Sequence, residues 1–174
     1  MKLYNIDDRM KGLGYYQIGG GVLGIALTLW LLVQTGTLTG GGLFFILLGF
    51  FLFSFSIYSG NLLRKLDNKG LRFSTWNQIF QIFKFNAVYF GFSYTSGIGI
   101  SIGFNLTEKF HPDASLHFSA FSFALNSEGV DFVSFFINII PLIIIYWIQK
   151  IERDIKTENE LKESSKKHLT ENNL

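Results

Sequence analysis

The sequence predicts a membrane α+β protein. A transmembrane helical hairpin and a third apolar membrane helix enclose an inserted interfacial amphipathic helix and a small antiparallel β-meander. Three observations carry this expectation. No charged side chain occurs between Lys11 and Arg64, and a soluble domain has no means of hiding such a stretch. Apolar residues then recur at helical spacing from Trp76 to Phe83, and from Tyr94 the period changes to two.

Composition narrows the function classes. Only 16% of the 174 residues are charged, against about 25% in soluble domains. The absence of Cys excludes disulfide staples, thiolate nucleophiles, Cys-ligated zinc, iron–sulfur clusters and covalently attached haem. A net charge of +2 gives no support to a nucleic-acid partner.

The first predicted unit, residues 1–63, is an N-terminal tail and the hairpin. Tyr15–Val33 and Leu43–Leu63 are each long enough as helices to cross a hydrocarbon core of about 30 Å. Between them, Gln34 to Gly42 is a polar, Gly- and Thr-rich turn. Lys2, Arg9 and Lys11 precede the first span; Arg64, Lys65, Lys69 and Arg72 follow the second. By the positive-inside rule both ends of the hairpin are expected in the cytoplasm of an inner (plasma) membrane system. With Asp7 and Asp8 in the lead-in and no small-x-small cleavage site, the first span is expected to be a retained anchor.

Residues 64–129 form the second unit. Trp76, Ile79, Phe80 and Phe83 fall at i, i+3, i+4 and i+7, with Asn77, Gln78, Gln81 and Lys84 between them. This predicts an amphipathic helix over Leu71–Phe85, lying on the membrane interface through Trp76, Phe80 and Phe83 or packed on the protein's own sheet. Beyond it, Tyr94, Ser96, Ile98, Ile100, Ile102, Phe104 and Leu106 alternate with Thr95, Gly97, Gly99, Ser101, Gly103, Asn105 and Thr107. A strand gathers those isoleucines on one face, whereas a helix scatters them. Weaker alternation from Leu116 to Leu125 and turns at Glu108–Asp113 and Asn126–Gly129 complete a meander of two or three strands. The Gly97/Gly99/Gly103 side is either a solvent-facing strip or a place of close backbone approach.

The third unit, residues 130–155, is the third apolar helix, ending in Tyr146-Trp147 and followed by Lys150 and Arg153. Val130–Phe136 also fits the start of a third strand. Pro141 suits the first turn of a helix. A helix starting at Asn138 or Ile139 leaves too few apolar residues to cross and returns to the side it came from, keeping the tail cytoplasmic; a kinked span is the alternative. Residues 156–174 are a charged tail expected to be disordered.

Chemistry is sparse. His111, Asp113 and His117 are the one group with metal-ligand character, and their setting in a turn and early strand also suits a solvated loop. The Gly97-Ile-Gly99-Ile-Ser-Ile-Gly103 run lacks the spacing and context of a dinucleotide fingerprint. Asn105-Leu-Thr107 matches a glycosylation sequon but is placed on the cytoplasmic side. Gly20 and Gly24 form a small-xxx-small helix-packing patch in the first span. Neither catalytic residues nor a cofactor are expected. The expected role is a non-enzymatic accessory or scaffold subunit in contact with membrane lipid and with other membrane subunits or itself. The alternatives are a channel or transporter component forming a pore as an oligomer and, more remotely, a metal-dependent enzyme using His111, Asp113 and His117.

Overall fold

The computed structural model describes residues 5–34, 40–87, 89–106, 110–125 and 133–171. Its elements are α1 (Ile6–Gln34), α2 (Gly40–Arg64), α3 (Lys69–Ile82), β1 (Phe83–Asn86), β2 (Phe90–Leu106), β3 (Phe110–Leu125), β4 (Val133–Asn138) and α4 (Ile139–Glu171). Most of the predicted Gln34–Gly42 turn, part of the Glu108–Asp113 turn, all of Asn126–Gly129, Thr107 of the sequon and the last tail residues lie outside the described residues. Both α1 and α2 are long and apolar enough to cross a membrane.

The two helices form the expected hairpin, with a close backbone approach where Gly14 and Gly60 meet. A Cβ on either would lie 2.5–2.6 Å from the other's carbonyl oxygen, so only glycine lets the backbones approach this far. Helix α3 runs back along α2 in the opposite direction. Gly70 sits against Leu62 and Leu63, Phe73 stacks edge-on with Tyr58 and Phe55, and Asn77 reaches Ser56. Met10, Leu13, Leu63, Leu71, Ile144, Ile148 and Ile151 make one apolar cluster, tying the start of α1, the end of α2, the start of α3 and the middle of α4 together. An Arg9–Asp154 ion pair closes the same end.

Four antiparallel strands form a sheet in the order β1-β4-β2-β3, with β1 also pairing with the start of β2. The double pairing of β1 determines the shape. Asn86 faces Gly91 near one end of β2, and it also faces Ser134, which pairs with Asn105 near the other end. Paired Cα atoms are about 5 Å apart, which puts Gly91 and Asn105 within about 15 Å, whereas a straight strand between them would cover about 46 Å. Strand β2 is therefore folded back on itself. The bend sits at a bulge between Thr95 and Ile98, where the β2–β3 register shifts, and Gly97 there takes φ +102°, a conformation that favours glycine.

Several expectations change. The sheet is not a two- or three-strand meander, because β4 inserts between β1 and β2. The bulge slips the alternation by one, so Tyr94 faces the same side as Gly99 and Ser101, not the isoleucine side. The amphipathic helix stops at Ile82, and Phe83 opens β1. The third apolar unit is not a helix throughout: Val133–Asn138 is strand β4, and α4 starts at Ile139 with Pro141 in its first turn. Only Ile139–Gln149 precede Lys150, about 16 Å of helix against the roughly 30 Å needed. A third membrane helix is thus not shown. Finally, α4 continues to Glu171 where disorder was expected, supported by Lys156–Glu160 and Glu158–Lys162 pairs one turn apart.

The bend predicts a sharp contrast between two glycines. A Cβ at position 97 would meet the Tyr16 hydroxyl at 2.6 Å, while one at Gly19 meets nothing within 4 Å. Gly97→Ala should lower stability by about 1–3 kcal/mol. Gly19→Ala should be neutral or stabilise by up to about 1 kcal/mol through helix propensity. Thermal unfolding of both variants in the same detergent checks this; equal melting temperatures would contradict the bend.

Candidate functional site: a buried polar seam

Among the described residues, thirteen polar side chains are buried against eleven large apolar ones. The interior thus carries a large polar share beside its apolar clusters. The polar residues come from particular positions. Ser74, Asn77, Gln78 and Gln81, at i, i+3, i+4 and i+7 of α3, are buried, while Trp76, Ile79 and Phe80 of the opposite stripe are exposed. Helix α3 therefore turns its polar side inward.

Ser56 of α2 is the hub of this interior. Its hydroxyl donates to the Gln17 carbonyl oxygen (3.1 Å) and accepts from Asn77 Nδ2 (3.1 Å) and Ser96 Oγ (2.9 Å), which uses its one donor and both acceptor positions. Asn77 Oδ1 lies 3.0 Å from the Tyr94 hydroxyl, which also lies 2.9 Å from the Leu52 carbonyl oxygen. Gln81 donates to the Asn77 carbonyl oxygen and accepts from the Ser96 amide. Gln17 Nε2 donates to Ser74 Oγ.

At the bend of β2 this seam substitutes for a missing neighbouring strand. The Ser96 N–H goes to Gln81, the Gly97 N–H to Ser119 Oγ (2.8 Å), the Ile98 N–H to the Tyr16 hydroxyl (3.2 Å) and the Ile100 N–H to Asn138 Oδ1 (3.1 Å). Ser119 passes its own proton to the Gly20 carbonyl oxygen (2.8 Å). Each of these four backbone donors finds a side chain where the ladder is interrupted. Past the bend the seam continues to Ser101, whose hydroxyl lies 3.3 Å from His117 Nε2. Gln17 Oε1, Gln78 Nε2, Ser115 Oγ, His117 Nδ1 and Asn138 Nδ2 are buried with no hydrogen-bond partner among the described residues.

The structure spreads the sequence-predicted residues over several places. Gly20 faces β2: a Cβ there would lie 2.5 Å from the Gly97 nitrogen. Gly24 faces the Phe53 ring of α2. Trp76, Phe80 and Phe83 are 44–49% exposed. His111, Asp113 and His117 fall on one face of β3, opposite Asn105, Gly103 and Gly99. The His111 side chain lies outside the described residues. Asp113 is exposed and faces Asn105 Nδ2 (3.4 Å) and the Ala114 N–H (2.7 Å), while His117 belongs to the seam. No group of three metal-ligating side chains is assembled among the described residues. Sequence reasoning missed Tyr16, Gln17, Ser56, Asn77, Tyr94 and Ser119. The signal was present in α3, where the polar complement of the aromatic stripe has the same helical spacing.

Burial and the charge of Lys84 lower the His117 pKa from its ordinary value near 6.5. The unfolded chain then binds a proton before the folded one does. His117 should therefore cost stability as the pH falls below about 6.5 and be neutral above it. The loss of melting temperature on acidification should shrink in His117→Asn, and an unchanged loss would contradict this. For the hub, Ser56→Ala should destabilise by about 1–3 kcal/mol. In a double-mutant cycle with Asn77→Ala the two changes should couple by at least about 0.5 kcal/mol; additive effects would show that the seam is not a network.

Compared with models of known protein families, with curated proteins and with solved structures, the chain matches none.

Proposed function

We propose that this chain is a non-enzymatic integral membrane protein acting as an accessory or scaffold subunit, one that contributes surface to a larger membrane assembly. The observation that carries this reading is the distribution of polarity. Ser, Asn and Gln line a seam through the interior, while Leu27, Trp30, Val33, Phe44, Leu47 and Phe51 of the hairpin are exposed. Exposed apolar side chains in that density favour lipid or protein neighbours over water. Ser56, Asn77, Tyr94, Ser96 and Gln81 hydrogen-bond one another or nearby backbone, which suits a structural interior better than a reactive centre.

The chain path supports cytoplasmic placement of both termini. Helix α3 leaves the end of the molecule where Arg64, Lys65, Lys69 and Arg72 lie, and α4 returns to it, where Ile148 and Ile151 meet Met10 and Leu13 and Asp154 meets Arg9. The segment from α3 to α4 is then an excursion that starts and ends on one side, so the basic tail shares a side with the other basic flanks, in keeping with the positive-inside rule. Reporter fusions after residues 12, 70 and 165 should all report cytoplasm; a fusion after 165 reporting the opposite side would overturn this topology.

A second reading is a pore formed by several copies. It draws on the uncharged polar seam along α1, α2 and α3, whose unpaired Gln17 Oε1 and Gln78 Nε2 give it spare hydrogen-bonding capacity. Two assays separate the readings. The scaffold role predicts crosslinked partners in native membranes and no flux in reconstituted liposomes. A monodisperse monomer without partners contradicts the first reading, and solute flux abolished by Asn77→Leu would favour the second.

A further inference from the structure

The sheet has one face with no partner among the described residues, and the strand register shows what that face is made of. Phe83 on β1 pairs with Ile137 on β4, and Ile137 pairs with Ile102 on β2. Ile100 pairs with Leu116 and Ile98 with Phe118 on β3. These seven side chains share one face, and all are 38–66% exposed. The opposite face holds Tyr94, Gly99, Ser101, Ser119 and Asn138, all buried.

This apolar face is not an isolated patch. Phe83 directly continues the exposed stripe Trp76, Ile79 and Phe80 of α3, with the Trp76 and Phe80 rings 6.3 Å apart. On the other side β4 runs straight into α4, whose first turns expose Leu142, Ile143, Tyr146 and Trp147. Sheet and helices thus form one uncharged surface with Trp and Tyr among its exposed residues, the composition found where protein meets the lipid headgroup level.

We infer that the Ile98/Ile100/Ile102/Leu116/Phe118 face is a lipid contact surface, immersed at the boundary between headgroups and acyl chains. The sheet thereby acts as a second membrane anchor beside the hairpin. This inference rests on the membrane reading of the hairpin given above. The occupant is the bilayer because the face is continuous with helix surfaces of the same character and carries no charged group with which a polar partner could pair. Interfacial depth also suits the backbone: side chains satisfy the open edge of β2, and water at the headgroup level can reach the outer edge of β3.

The chain contains no Cys, so single substitutions can be spin-labelled in an otherwise unmodified background. Labels at Ile100→Cys, Ile102→Cys and Leu116→Cys are compared with Phe51→Cys on the exposed side of α2 and Glu160→Cys on the outer part of α4. The full chain is reconstituted in phosphatidylcholine/phosphatidylglycerol vesicles, and relaxation by oxygen is measured against relaxation by a water-soluble nickel chelate. The three sheet labels should resemble Phe51→Cys, with an oxygen-to-nickel ratio several-fold above that of Glu160→Cys. Sheet labels relaxed mainly by nickel, with Phe51→Cys relaxed by oxygen, would overturn the inference and leave the hairpin reading intact. Sheet labels shielded from both reagents would overturn it in favour of a protein cover. Nickel-dominated relaxation at Phe51→Cys as well would sink both.

Discussion

The fold depends on how a bent strand keeps its backbone hydrogen bonds. Strand β2 reverses at Gly97, and over Ser96–Ile100 its second edge has no neighbouring strand. Left open, the buried Ser96 N–H would cost about 1–3 kcal/mol, and the part-buried Gly97 and Ile100 N–H groups less. Gln81, Ser119, Tyr16 and Asn138 supply the missing acceptors. They come from α3, β3, α1 and the end of β4, so one local requirement fixes the position of four elements around the bend.

The same requirement accounts for the polar interior. Amides and hydroxyls can be buried at tolerable cost when they are mutually hydrogen-bonded, and Ser56, Asn77, Tyr94 and Ser96 are. Once helices and sheet commit polar side chains to the seam, many of their apolar side chains are left on the exterior. On the proposed membrane reading, lipid covers these exposed apolar side chains, and the uncharged stretch from Gly12 to Leu63 is in keeping with it. Glycine supplies the close approaches: Gly14 against Gly60 within the hairpin, and Gly20 against Gly97 between hairpin and sheet.

The hairpin was legible because two helix lengths without a charge, parted by a Gly- and Thr-rich turn, match the thickness of a bilayer crossed twice. The period-two segment was legible as a strand for an equally direct reason, and Pro141 marked the first turn of α4 correctly. What the sequence concealed was the bulge. Alternation read straight through Ser96 and Gly97 puts Tyr94 on the isoleucine face, and no local signal separates a bulge glycine from the glycines at 99 and 103. The inward turn of α3 was concealed for another reason: an amphipathic pattern specifies two faces without saying which faces the protein. Strand β1 was absorbed into the predicted helix because Phe83 fits both periods.

Native-state hydrogen exchange of the full chain in lipid nanodiscs tests the central claim most directly, read at the amides of Ser96, Ile98 and Ile100. If side chains hold the open edge of β2, these three amides exchange as slowly as those of the regular β2–β3 ladder, and Tyr16→Phe accelerates Ile98 selectively. Fast exchange at all three in the unmodified chain would show that the bend is not sealed, and the account of the polar interior would fall with it.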